Sequence, residues 1–155
     1  MSNILNDEFE SFKADLINAY NAKGMRASGK FERSLEVIQP SETKIQLWGE
    51  DYAQQLETGR LAGKFPPLAP IKEWIEEKGI AARIEGQISI SSLAYLIARK
   101  IARSGWKREG YGGVELISEV VTTRRMQSII DKVGETQIIT FSNQIVGFLN
   151  QIELK

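Results

Sequence analysis

Gly59-Arg60-Leu61-Ala62-Gly63-Lys64 sets two glycines and a lysine in nearly the order of a phosphate-binding loop. Such loops work because glycines let backbone N–H groups crowd around phosphate oxygens, while the lysine and a following Ser or Thr complete the site. Here the glycines stand one residue too close together. Phe65 occupies the place of the magnesium-holding hydroxyl, and no clear strand precedes the run. Nucleotide chemistry is therefore not expected. A second candidate is the cationic run Arg99, Lys100, Arg103, Lys107 and Arg108, in which Glu109 is the only acid. Offsets of three and four bring Arg99, Lys100 and Arg103 together on a helix. The plain account is a solvated helix end whose cations favour the C-terminal dipole. The sharper one is contact with DNA phosphates or with an acidic neighbouring subunit. Trp106 and Tyr111 lie in the glycine-rich stretch 105–113. They suit stacking on single-stranded bases, and suit better a protein interface, where Trp, Tyr and Arg are enriched. Trp48 and Trp74 read as core or interface residues.

Little else is equipped for catalysis. The chain has no histidine and no cysteine, which removes the commonest general base, the commonest zinc ligand, thiolate nucleophiles and disulfides. Asp7-Glu8 and Glu76-Glu77 are adjacent pairs that do not face each other across a cleft. A hydrolase or transferase would have to work with acids and lysine alone, so no enzyme, metal or cofactor is expected.

The elements that must position these residues belong to one ordinary-sized domain. The chain has 155 residues, enough to bury roughly 70% of its unfolded surface. It is 42% hydrophobic and 26% charged, with Lys+Arg equal to Asp+Glu at 20 each. That balance excludes a whole-protein basic field, so any DNA contact must be local. The N-terminus lacks a signal-peptide pattern, and no apolar run approaches a membrane span.

Leu5, Phe9, Phe12, Leu16 and Tyr20 recur at helical spacing, so a helix is predicted over 6–23, with Asn6 as N-cap and Gly24 as C-cap. Alternation over 31–39 and 44–48, with Pro40-Ser41-Glu42 between, predicts a β-hairpin. A short helix is read over 51–57 and an irregular loop over 58–69. A helix opening near Pro70 carries Ile71, Trp74 and Ile75 inward and ends at Gly79. Residues 82–89 read as a linker or weak strand. Ser91 or Ser92 caps the next helix, which runs to Arg103 and buries Leu93, Leu96, Ile97 and Ile101. The stretch 114–121 is ambiguous. Thr122 or Thr123 then caps a helix bearing Met126, Ile129, Ile130 and Val133. The tail, with Ile138, Phe141, Ile145, Phe148 or Leu149, and Ile152, reads as helix with Gly134 as a break or kink. The fold class expected is α+β: a small hairpin-based antiparallel sheet flanked by helices, with extended inter-subunit loops.

One stretch carries more than generic chemistry. Tyr52-Ala53-Gln54-Gln55-Leu56-Glu57-Thr58-Gly59-Arg60, Gly63-Lys64-Phe65-Pro66-Pro67 and Ile71-Lys72-Glu73-Trp74-Ile75-Glu76-Glu77-Lys78-Gly79-Ile80 follow one another in order. They resemble the small head–tail connector, tail-completion and neck proteins of tailed bacteriophages. Gly29-Lys30-Phe31-Glu32-Arg33-Ser34-Leu35 upstream and Leu93-Ala94-Tyr95-Leu96-Ile97-Ala98-Arg99-Lys100-Ile101 downstream extend the likeness over 29–113. The Trp74 helix and the segment after Thr123, a C-terminal helical extension over about 123–155, depart from the shorter members.

The resemblance implies a virion structural protein, made in the host bacterial cytoplasm. It would form a homo-oligomeric ring at the head–tail junction, around the DNA channel and against portal, adaptor or tail-tube proteins. Rings arise from head-to-tail contacts that close. The expected interface residues are Tyr52, Glu57, Gly59 and Arg60 at the base of the first loop, and Phe65, Pro66 and Pro67 at its tip. Trp106, Arg108 and Tyr111 are expected to engage a second partner. Arg99, Lys100, Arg103 and Lys107 would touch DNA or an acidic partner. The alternative is a small DNA-binding regulator using the 99–108 cluster.

Overall fold

The computed structural model describes residues 4–84, 88–107 and 113–153, with side chains through Gly147. The order of elements is α1 (Ile4–Ala22), α2 (Lys30–Ser34), β1 (Glu36–Ser41), β2 (Lys44–Trp48), α3 (Ala53–Thr58), α4 (Leu68–Glu77), a 3-10 turn (Ala81–Arg83), α5 (Ile90–Ser104), α6 (Leu116–Val120) and α7 (Thr123–Glu153). The fold is α+β, with a two-stranded antiparallel sheet among helices.

The main core gathers around α1. Phe12, Leu16 and Tyr20 are buried there, joined by Phe31, Leu35, Leu56, Val114, Leu116, Val120 and Ile129. Each large apolar side chain so buried contributes about 1.5–3 kcal/mol. Tyr20 stacks on Phe31 with ring centroids 4.2 Å apart. α7 runs antiparallel to α1. Arg125 bonds Asp15 at 2.6 Å and lies 4.2 Å over the Phe12 ring, and one heptad later Lys132 pairs with Glu8. Both pairs keep the same register, so Ile4 stands level with Thr136.

A second, smaller core lies apart from the first. α4 packs along α5, and the fully buried residues of this pair are Ile75, Ala94 and Ala98. Alanines four apart let the helix axes approach closely, because interaxial distance follows the side chains at the contact. For that reason Leu96, expected inside, stands 49% exposed. Leu93, Ile97 and Ile101 are partly buried.

The hairpin is present, and its N-terminal end differs from expectation. Residues 30–34 are helical, and β1 begins only at Glu36. Phe31 and Leu35 share strand parity, but they are also one helical step of four apart, and both are buried. Gly29, at φ 76°, turns the chain into this helix. Ser34 Oγ donates to the Phe31 carbonyl and accepts from Glu50 N–H, tying α2 to the exit of β2. Pro40 sits inside β1 at a register irregularity, where its missing N–H breaks no ladder bond; the turn itself is at 42–43.

Ser89, rather than Ser91 or Ser92, caps α5, accepting from Ser92 N–H at 3.1 Å. The first helix begins at Ile4, which places Asn6 inside it rather than at its cap. Of the stretch 82–89, residues 85–87 lie outside the described residues, and the rest forms no strand. Thr122 Oγ1 accepts from Arg125 N–H and starts α7. α7 then runs as one helix through Gly134 to Glu153. Gly134 therefore does not break it: a helix-compatible backbone needs no side chain there. Among the described residues no helix is long and apolar enough to cross a membrane.

Candidate functional site

The two irregular loops, expected to reach separate partners, are fastened to each other. After α3 the chain enters the loop 59–67; after α5 the described chain covers the irregular residues 105–107 and 113–115. Arg60 N–H donates to the Trp106 carbonyl at 2.8 Å, and Trp106 N–H returns a bond to Arg60 at 2.7 Å. Gly63 N–H bonds the Ala102 carbonyl at 2.8 Å. Val114 N–H bonds the Leu56 carbonyl at 2.7 Å, and Glu115 N–H reaches Glu57 at 3.3 Å.

Backbones this close leave no room for side chains. A Cβ on Gly59 would sit 2.6 Å from the Trp106 carbonyl oxygen. One on Gly105 would sit 2.3 Å from Arg60 O, and one on Gly113 would sit 2.3 Å from Glu57 O. All three glycines also have positive φ, at 76°, 70° and 99°. Only glycine meets both demands at low cost.

Glu57 completes the crossing. Its carboxylate accepts from Ile117 N–H at 2.6 Å, from Ser118 N–H at 3.2 Å and from the Ser118 hydroxyl. A carboxylate on the free N–H groups of a helical turn satisfies donors that would otherwise lack partners. Glu57 thus ties α3 to α6 within the chain. Sequence reasoning missed this bond because its partners lie about sixty positions away.

The other predicted positions are distributed as follows. Tyr52 is half-buried, 6.2 Å from Phe31 centroid to centroid. Pro66 is buried, so it does not form the tip of the first loop. The tip is instead 61–64, with Leu61 82% exposed. Phe65 and Pro67 are exposed, and Phe65 leans on Tyr95 of α5 at 5.8 Å. Trp106 is partly buried against the main core. Arg108 and Tyr111 lie outside the described residues. Arg99, Lys100, Arg103 and Lys107 are all exposed. The first three share the outer face of α5, and among the described residues none of them has an ion-pair partner.

Between the loop crossing, α4 and the end of α1 lies a cleft of ≈ 670 Å³. Tyr20, Tyr52, Trp74 and Trp106 give it aromatic walls, and Glu73, Glu77 and Lys78 line its rim. Burial, then the nearby carboxylates Glu32 and Glu77, raise the pKa of Tyr20. Burial raises that of Tyr52 more strongly, with added push from Tyr20, Glu50, Glu32 and Glu77. Both phenols are therefore neutral at ordinary pH. Among the described residues no acidic side chains gather closely enough to hold a metal ion.

The last surface is the second half of α7. The described part of α1 starts at Ile4, so residues beyond Thr136 run past it. Ile138, Ile139, Phe141, Ile145 and Val146 are 43–67% exposed. The signal for this was present in the sequence: residues 136–152 contain no charged side chain.

Compared with known proteins, the chain matches no family model, no curated protein and no solved structure.

Proposed function

We propose that this chain is a structural subunit that works in an oligomer, as a ring component of the head–tail junction of a tailed bacteriophage. The observation that carries the assembly reading is area. A compact 17.4 kDa chain exposes about 7,900 Å². This one exposes 11027 Å², an excess of roughly 3,000 Å². That excess is of the size that obligate oligomers bury between subunits. The placement at the junction, and with it a location in the virion, rests on the resemblance carried by residues 52–80 and their flanks.

In such a ring the loop crossing acts as a stiff bracket. Its backbone bonds and three glycines fix the outward-facing Leu61, Phe65 and Pro67 before any partner arrives, and a preformed surface loses less entropy on binding. Mechanical joining of head to tail needs such rigidity and no chemistry. Electron microscopy of the purified protein tests the reading, together with imaging of particles that lack it. Closed rings and filled, tailless heads are the expected outcomes. A monodisperse monomer together with normal tailed particles would sink it.

A second reading has its own observation. Arg99, Lys100 and Arg103 sit side by side on α5 without ion-pair partners among the described residues, next to exposed Tyr95. This is a local footprint for phosphates and bases. A DNA-binding regulator would show tight, sequence-dependent gel shifts. A channel-lining subunit would show weak, sequence-independent binding that fades with salt.

A further inference from the structure

Helices that face water usually set charged residues opposite their apolar stripe. The second half of α7 does not. From 136 to 152 every residue is apolar, Gly, Thr, Ser, Asn or Gln. Its apolar positions follow alternate steps of three and four: Ile138, Phe141 and Ile145, with Phe148 and Ile152 continuing the spacing in the sequence. Ile138 and Phe141 are 67% and 63% exposed, so among the described residues nothing covers this part of the seam. The register of the Asp15–Arg125 and Glu8–Lys132 pairs sets Ile4, the first described residue of α1, level with Thr136.

We propose that residues 137–152 of α7 form a coiled coil with the same segment of a second copy of this chain, along the seam Ile138–Phe141–Ile145. Two features select a second copy over a foreign partner. The seam has heptad spacing, so an identical helix offers holes at the spacing of its own knobs. The segment carries no charge, so two copies meet no like-charge repulsion, and nothing in it would recognise an acidic or basic surface. The chain exposes roughly 3,000 Å² more than a compact monomer of its mass, and the bare helix accounts for part of that excess. The overhang is about 25 Å long, enough for two heptads of contact. This inference goes beyond the neck reading and does not depend on it.

Sedimentation velocity of the full-length protein over a wide concentration range tests it. The wild type should self-associate. The double variants I138E/F141E and I138K/F141K should each weaken association on the order of a hundredfold, because buried like charges face one another across the seam. Mixing the two variants should restore association, a result that only a homotypic seam gives. I138Q/F141Q, which matches the neighbouring glutamines, should weaken association with an unchanged circular dichroism spectrum, and so guards against misfolding as the cause. A monomeric wild type, variants that sediment like the wild type, or a mixture that stays dissociated would each overturn the proposal. Association of the wild type only with lipid vesicles would also overturn it. Closed rings formed by dissociated-seam variants would remove this inference and leave the neck reading standing. Seam-dependent oligomers that never close into rings would do the reverse.

Discussion

Gly113 lies just before α6 and Gly134 within α7, and their surroundings are opposite. A Cβ on Gly113 would strike the Glu57 carbonyl oxygen at 2.3 Å and the Gly59 nitrogen at 2.5 Å, whereas one on Gly134 would meet nothing within 4 Å. The contrast extends to their regions. At the loop crossing, backbone bonds, positive-φ glycines and the Glu57 carboxylate satisfy one another inside the chain. Along α7 after Thr136, the described apolar side chains Ile138, Ile139, Phe141, Ile145 and Val146 stand exposed. The crossing is specified by what the chain does to itself, and the overhang by what it meets. A residue type that punctuates loops so visibly can therefore mark internal stiffness rather than a contact surface.

The largest effect should come from Gly113→Ala. Strain at φ 99° together with the backbone clash should cost about 3–5 kcal/mol. Denaturant unfolding reads this directly; a loss under about 1 kcal/mol would mean that the crossing is looser than its geometry. Next comes Glu57→Ala, which strips three hydrogen bonds from the start of α6. A loss of about 1–2 kcal/mol is expected from the bared N–H groups, with Glu57→Gln intermediate. On the other side of the comparison, Gly134→Ala should stabilise the fold by about 0.5–1 kcal/mol, since a helical glycine in open space costs only entropy. A destabilisation there would show that a close neighbour needs the glycine. I138Q/F141Q, measured at dilution, should leave unfolding within about 0.5 kcal/mol of wild type. A large loss would place the seam inside the monomer's own core.

The pH dependence separates the regions without mutation. Tyr20 and Tyr52 bind their protons more tightly folded than unfolded, because burial disfavours the phenolate. Their contribution is thus fully present below the ordinary tyrosine pKa of about 10 and is lost as pH rises through the folded values. Tyrosinate absorbance should appear late for these two, and stability should fall as they titrate. Early titration of Tyr52 would mean an open cleft.

How much of this was legible in the sequence depends on the reach of the cause. The α1 stripe, the hairpin and the helical tail follow from local spacing, and each is present. Phe31 and Leu35 misled because a separation of four fits both a strand face and a helix face, and Gly29 decides between them. The burial of Ala94 and Ala98 instead of Leu96 reflects how near α4 lies, which hydrophobicity alone does not encode. The Glu57 bond to α6 is invisible locally, because capping usually comes from the residues just before a helix. Pro66 reads as exposed loop chemistry, and packing buries it. For α7 the spacing was visible, but the exposure of its second half follows from register: the 31-residue helix extends beyond the 19 described residues of α1.

The two bonds between Arg60 and Trp106 carry a topological consequence. The chain leaves the body at one residue and comes back beside it at the other, so 61–105 is a closed excursion with its own small core. Beyond the crossing, contacts such as the Lys78 bond to the Gly24 carbonyl hold it to the body, so it is expected to open as a unit of lower stability. Native-state hydrogen exchange should find α4 and α5 opening together, below the energy of global unfolding, while the amides of α1 wait for the whole molecule. An excursion whose ends already touch can also be shortened or replaced without moving its anchors. That makes this hairpin the part of the protein freest to change while the rest of the fold stays as it is.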